Sequence, residues 1–472
     1  MKRHLRALAR ACAATAVAAA GLTAVAGPAH ADDPPTPSLD NYYMRPAWNQ
    51  AELQDRVKQL DAQLPKLGVQ NILAEAPRQG GTANGKACNA KAIDGTTGRQ
   101  PDVTYSFCWD TADSAASGNY EWTPQGVTTV ADAQDDKYWG SAQPVVTTWY
   151  QQQHGATVGE KCKYKKDGVW VEQNCVKGVR ISIIDPNTGK YAHVLLVYPF
   201  VNASGNASYM SLRTTQDSDH GSLHAGGIAW YGNYLYVADT ARGLRVFDMR
   251  YIFDLKSAGD KADITDKTKI GRQDGKFYSH GYRYVMPEVA AYTNTVPRTA
   301  TGKYECRNGS SPNTSFVSLD RSGNDHLVTG EFCDAAKSDT NGRVATWPLN
   351  GDNGQPDLNA TCVSNLPGHA EIPCWHADTA YAMPADGIQG AARYDGKWFM
   401  NQSRGETSAG VLIQAAQPDG KTGLLRSLAP PHFTAIGPED LSYWPGSDAG
   451  RSGLWTLTEH YGKRMVYVTP KP

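Results

Sequence analysis

An all-β fold made by repeating one sheet unit is what this 472-residue chain predicts, on three observations. First, residues 227–249, 316–335, 390–415 and 441–469 read as variations on a single unit. Each opens with a short apolar strand and a Gly/Asn/Asp-rich turn. Each then runs into a second strand that ends on a polar residue, at Asp239, Glu331, Gln402 and Glu459. Second, from Trp122 onward short β-rich runs alternate with turn residues, with no helical period. Third, a longer first unit shows four strands, at 127–131, 144–151, 178–185 and 192–201. Four strands make one propeller blade, and a recurring sheet unit must bury its faces against its own copies. The predicted fold is therefore a β-propeller. A two-sheet sandwich explains the strands and turns equally well, but not the recurrence.

The elements follow in order. Lys2, Arg3, Arg6 and Arg10 precede an Ala/Val/Leu-rich run, and Ala29-His30-Ala31 forms a small-x-small cleavage pattern. Residues 1–31 are thus read as a signal peptide, placing a secreted, extracellular chain from Asp32 onward. The apolar run is short and alanine-rich, and no later segment approaches the ~20 apolar residues of a membrane span. Residues 32–121 are read as an N-terminal extension. Within it, Leu53, Val57, Leu60 and Leu64 mark one face of a helix over 50–67, ended by Pro65 and Gly68. The run 103–110 alternates like a strand.

The propeller is expected over 122–472, in units at 122–201, 224–285, 286–360, 380–430 and 437–472. The last unit shows only three strands. A closed ring needs a fourth, which the strand at 103–110 could supply. The run from Pro287 to Thr293 opens either the third unit or a further one. Five blades are favoured, with six as the alternative.

Cys12 falls in the leader. Eight cysteines remain, an even number that suggests disulfides in an exported protein. Eight cysteines allow 105 connectivities. Sequential pairs are favoured: Cys88–Cys108, Cys162–Cys175, Cys306–Cys333 and Cys362–Cys374. Each closes a polar loop and contributes roughly 3 kcal/mol on the chain-entropy account. The competing zinc reading lacks both a CxxC pair and finger spacing.

The net charge is −1, and removing the leader leaves the chain mildly acidic with no basic block. Nucleic acid and anionic membranes are poor partners for such a surface. The chain carries 12 Trp and 24 Tyr against 9 Phe. These rings suit sugar or peptide surfaces but also fill β cores, and the core reading is favoured.

A propeller brings its first strands to a central channel. The candidate first strands begin Pro124-Gln125-Gly126, Ala225-Gly226-Gly227, Pro287-Glu288-Val289, Ile388-Gln389-Gly390 and Pro438-Glu439-Asp440. Gln125, Glu288, Gln389 and Glu439 share one column, and His224 precedes the unit with glycine there. The glycines after Gln125 and Gln389 leave room for close backbone approach. Such a ring binds a polar ligand, holds a hydrated divalent cation, or supplies an acid and a base. A water-filled polar channel is the structural alternative. Ligand contacts are expected at Gln125, His224, Gln389, Glu439 and Asp440.

If the chain is an enzyme, Glu288 and Glu439 are its acid and base, with His224 assisting, since glycoside cleavage needs paired carboxylates. The strand-end residues Asp239, Glu331, Gln402 and Glu459 are read as turn caps or solvent-facing groups. Glu459 and His460 are expected on opposite faces of a strand. Asp219 and His220, and His376 and Asp378, are candidate cation ligands in His/Asp-rich loops, with a solvated loop as the plainer reading. GxSxG, HExxH, Walker A and GxGxxG signatures are absent.

The segment from Gly227 through Leu235-Tyr-Val-Ala-Asp239 and Gly243-Leu-Arg-Val-Phe-Asp248 resembles the repeat of secreted bacterial β-propellers of the NHL and streptogramin-lyase-like kind. The set of first-strand openings is similar to exported actinobacterial propellers. The resemblance spans roughly 122–472 and implies the fold rather than an activity, because this superfold hosts lyases, hydrolases, lactonases and binding modules. The function expected is a secreted propeller binding an extracellular polar ligand, glycan or protein, at the channel mouth. The alternative is a hydrolase or lyase on a polysaccharide or small polar substrate.

Overall fold

The computed structural model of the chain describes residues 36–95, 100–115, 118–154, 159–166, 169–212, 223–296, 304–417, 423–448 and 450–472. The expected leader and the candidate ligands Asp219 and His220 lie outside the described residues.

Strand-forming runs punctuated by turns build successive antiparallel meanders of four strands. The first contains Tyr120–Thr129, Val145–His154, Val179–Ile184 and Lys190–Val201. A hairpin of Lys161–Lys166 and Val169–Asn174 is inserted after its second strand. The second contains Ile228–Tyr231, Tyr234–Asp239, Gly243–Asp248 and Tyr284–Asn294. The third contains Phe316–Asp320, His326–Gly330, Arg343–Asn350 and Thr379–Ala382. The fourth contains Ile388–Tyr394, Lys397–Gln402, Ala409–Ala416 and His432–Ile436. The last contains Ser442–Trp444, Gly453–Thr458 and Met465–Thr469, and Tyr105–Cys108 from the N-terminal segment completes it.

The first strands of these meanders contact one another in chain order, and the last contacts the first. The contacts are close. A Cβ on Gly126 would lie 2.8 Å from the Gly227 backbone, and one on Gly390 would lie 2.6 Å from Asp440 Cα. Only glycine lets two backbones meet at that distance. Between the third and fourth units the Ser318 hydroxyl donates to the Ala391 carbonyl. Asp440 closes the circuit: its Oδ2 accepts the Val127 N–H (3.3 Å) and the Ile228 N–H (3.0 Å). The result is the radial geometry of a β-propeller.

One placement is corrected. The run from Pro287 does not open a unit; it belongs to Tyr284–Asn294, the fourth strand of the second meander. This strand pairs with Gly243–Asp248 along one edge and runs parallel to Lys190–Val201 over Tyr284–Pro287. The third meander begins instead at Phe316. Period and composition alone do not separate a first strand from a fourth, because both are buried on their faces.

The expected helix forms over Gln50–Asp61 and buries Leu53, Val57 and Leu60; it ends short of the expected 67, so Leu64 is buried beyond its last turn. A second short helix, Val69–Ala74, follows Gly68. A one-turn helix at Val130–Ala133 ends the first strand of the first unit, where the sequence reading had extended the strand to 131. Its capping box between Thr129 and Asp132 outcompetes the β-branched run.

Trp149, Trp230, Trp347, Trp375, Trp398, Trp444 and Trp455 are all fully buried, so most of the indoles fill the sheets. The four disulfides are Cys88–Cys108, Cys162–Cys175, Cys306–Cys333 and Cys362–Cys374. Four such bonds suit a protein outside the reducing cytoplasm. Among the described residues no helix is long and apolar enough to cross a membrane.

Candidate functional site at the channel mouth

The ends of the second strands and the starts of the first strands lie on the same side of each meander, because antiparallel neighbours reverse direction. The two columns read from the sequence therefore meet. In the second unit, Asp239 accepts from Arg245 Nε at 2.9 Å. In the third, Glu331 and Arg343 form a buried two-pronged pair, with bonds of 2.6 and 2.8 Å. Thus an acid ending the second strand is clamped by an arginine on the third strand.

The last unit breaks this pattern. Its arginine, Arg464, points its Nε to the Glu459 carbonyl and its Nη1 to the Asp113 carbonyl, both at 2.9 Å. The Glu459 carboxyl turns elsewhere. It accepts from Gln125 Nε2 of the first unit at 2.7 Å and hydrogen-bonds Glu439 beside it. Glu439 in turn accepts from Gln389 Nε2 of the fourth unit at 3.2 Å. Three units thereby converge on one carboxyl pair.

Burial, followed by the adjacent Glu459 and Asp440 carboxylates, pushes Glu439 well above the usual carboxylate range. Burial also raises Glu459, opposed by His460 and by the Gln125 hydrogen bond. Two such carboxyls in contact hold one proton between them more readily than two charges. Asp440 is raised as well, chiefly by burial, and its Oδ1 has no hydrogen-bond partner among the described residues. Deeper still, burial lifts Asp132 to about 6 despite hydrogen bonds from Ser442 and Thr128. Among the described residues no lysine or arginine nitrogen forms an ion pair with Glu439, Asp440 or Glu459; the His460 imidazole lies beside them, with Nδ1 3.7 Å from Glu459 Oε1.

Glu439, Asp440 and Gln125 are buried, but Glu459 keeps 23% of its side chain exposed. Burial, followed by the Glu459 and Glu439 carboxylates, raises the Tyr150 hydroxyl, and the Tyr150 ring lies 4.6 Å from the ring of exposed His224. Tyr120 stacks on Tyr461, which is half exposed. The cluster thus joins buried acids to aromatic rings, of which His224 is exposed and Tyr461 half exposed.

Of the expected site residues, Gln125, Gln389, Glu439 and Asp440 converge, and His224 joins them through Tyr150. Glu288 does not share this cluster. It lies on the fourth strand of the second unit, where Arg245 Nη1 reaches its two oxygens at 3.2 and 3.3 Å, and its charged neighbours are Arg245, Asp239 and Arg242. Glu288 thus bonds Arg245 within the second unit, whereas Glu439 bonds Gln389 and lies beside Glu459.

His376 and Asp378 go to separate partners. His376 stacks on Tyr43 and meets the Leu39 carbonyl, while Asp378 meets His326 Nε2 at 2.8 Å. The described clusters with ligand-type side chains are Cys162, Cys175 and His280, and Cys306, Glu331 and Cys333. In each the cysteines are bonded to each other and offer no thiolate.

Sequence reasoning set Glu459 aside as a turn residue and placed it opposite His460. Both sit in the turn after Gly453–Thr458, where strand alternation no longer holds. No local pattern could have found it, because the last unit keeps its arginine, Arg464, and only the long-range bond to the Asp113 carbonyl draws that arginine away.

A second arrangement escaped the sequence entirely. Ser182 Oγ lies 3.0 Å from His193 Nδ1, and His193 Nε2 lies 2.9 Å from Asp113 Oδ2. The order is that of a hydrolytic triad, but the chemistry is absent. Ser182 is completely buried and already accepts from Trp149 Nε1. Burial and Arg180 push His193 down to about 4, so it is neutral. The chain of bonds ties Asp113 of the N-terminal segment to the first unit.

No family model and no curated protein matches the chain. Among solved structures, the chain is similar to the RS223 beta-xylosidase at 11% identity, with 75% of this chain and 93% of that one covered and a TM-score of 0.30. It is similar to CoXyl43, a GH43 beta-xylosidase/alpha-arabinofuranosidase from a compost microbial metagenome, at 10% identity, 74% and 91% coverage and a TM-score of 0.29. It is also similar to the Swd1 β-propeller domain of Myceliophteria thermophila at 11% identity, 67% and 98% coverage and a TM-score of 0.24. Likeness this distant carries no argument about what the chain does.

Proposed function

We propose that the protein is a secreted, five-bladed propeller that binds a polar extracellular ligand, glycan or protein, at the mouth of its channel. The observation that carries this reading is the Glu439–Glu459 pair, held by Gln125 and Gln389 from two other units and lacking the arginine that clamps the equivalent acids. A proton-sharing pair presents both a donor and acceptors, and a ligand hydroxyl or amide at the exposed edge of Glu459 can use both. His224, Tyr150 and Tyr461 supply flat surfaces around it. Five blades are supported by the meanders that begin at Tyr120, Ile228, Phe316, Ile388 and Ser442.

The spacing of the acids favours binding over glycoside cleavage. The carboxyls in glycosidases stand about 5 Å or more apart, to admit the sugar carbon or a water. Glu439 and Glu459 are in hydrogen-bond contact. A hydrolase or lyase reading keeps Glu439 as a proton donor, with no partner carboxylate placed for the second step.

Arrays of extracellular glycans and proteins, probed in parallel with the purified protein and with Glu459→Gln, test the reading. Binding to a defined ligand that falls at least about tenfold in the variant is expected, from the loss of a charge-assisted contact. Binding that is unaltered in Glu459→Gln overturns it.

A further inference from the structure

A cavity of about 280 Å³ lies far from the acidic pair along the chain, between the helix Gln50–Asp61 and the second unit. Its lining has two characters. Val57, Val246, Val289 and Ala290 form an apolar part and are buried in the protein. Around them stand tyrosines and amides: Tyr234, Tyr251 and Tyr292 with Gln50, Gln54 and Gln355.

The charges at this cavity are already paired. Arg250 grips Asp248 through Nε at 2.9 Å and Nη2 at 2.6 Å, and exposed Lys58 meets Asp55 at 3.2 Å. A charged ligand finds no unmatched charge here. The neutral groups, by contrast, retain hydrogen-bonding capacity. Tyr234 Oη accepts from Gln355 Nε2 at 3.0 Å and from Arg250 Nη2 at 3.3 Å, which leaves its own hydrogen to donate. Gln50 Oε1 is buried without a partner among the described residues. Gln54, exposed on the helix, spends its amide on no described group.

A purely apolar ligand would cover these amides without bonding them, at a cost for each. A pyranose or furanose ring meets both characters, since its C–H face packs on aromatic and aliphatic surface while its hydroxyls both donate and accept. We propose that this cavity is a binding site for a neutral saccharide unit, separate from the channel mouth. The site is composite: the helix of the N-terminal segment supplies one wall, the second unit the other, and the third unit contributes Gln355 and Pro356. This explains a use for that helix beyond burying Leu53, Val57 and Leu60. The proposal does not depend on the channel reading.

Saturation-transfer NMR on the full protein tests it with glucose, galactose, mannose and xylose, and with cellobiose and xylobiose. At least one sugar is expected to give saturable binding. Tyr234→Phe and Gln54→Ala each remove one hydrogen-bonding group and are expected to weaken it roughly 2- to 10-fold. Gln54 is an exposed helical position where alanine is well tolerated, so that variant folds and remains informative if Tyr234→Phe does not. The proposal is overturned if no sugar binds saturably, if both cavity variants bind as the parent does, or if Glu459→Gln alone abolishes the signal.

Discussion

Glu331 and Glu459 end the second strands of their units, yet their surroundings assign them opposite tasks. Glu331 meets a fully buried guanidinium, and the pair is matched charge for charge. Truncating Arg343 to Met leaves a buried carboxylate without its cation, and a loss of about 3–5 kcal/mol in denaturant unfolding is expected. Glu459 meets no such cation; it accepts from Gln125, and burial together with the neighbouring Glu459 and Asp440 carboxylates pushes Glu439 well above the usual carboxylate range. Glu439 ionises near 4.5 in the unfolded chain but well above that in the fold. Above pH 4.5 the folded state therefore binds more protons than the unfolded one, and stability falls as pH rises until the folded pair gives up its proton. Glu439→Gln removes that proton difference, so its loss of stability between pH 5 and pH 8 is expected to be shallower, by up to about 1.4 kcal/mol per pH unit. Parallel slopes for parent and variant in pH-dependent urea melts would contradict proton sharing.

At the scale of elements, the last sheet depends on a strand more than 300 residues distant in sequence. Tyr105–Cys108 pairs with Met465–Thr469, and Cys88–Cys108 anchors it. Replacing both cysteines with serine opens a loop of 20 residues and is expected to cost about 3 kcal/mol on the chain-entropy account, read as a lower denaturant midpoint. Sequence reasoning could reach this closing strand, because an incomplete unit demands a partner and residues 103–110 alternate. It could also reach the disulfide pairing, since each bond closes a local loop. It could not place Pro287–Glu288. That run is apolar, β-prone and bounded by turns whether it lies at the axis or at the rim, and only the pairing with Gly243–Asp248 decides.

For the whole molecule, the ring explains why the site was only half legible. Gln125, Gln389 and Glu439 share a column because each first strand enters the channel at the same height, a periodic fact that sequence records. Glu459 joins them because Arg464 is drawn off to the Asp113 carbonyl, a contact between residues 351 apart that no local pattern encodes. Closure of the ring also makes the N-terminal segment structural. Deleting residues up to 110 exposes the edge of Met465–Thr469, and aggregation on size-exclusion chromatography is expected in place of the full chain's peak.

The central claim is that ligand enters at the acidic mouth, and the position of a bound ligand in a crystal tests it most directly. Co-crystals with a ligand whose binding on the arrays falls in Glu459→Gln are predicted to show one of its polar atoms within hydrogen-bond distance of the Glu459 carboxyl, with its body against Tyr150 or His224. A ligand seated elsewhere on the propeller, with the mouth left to solvent, would contradict the account.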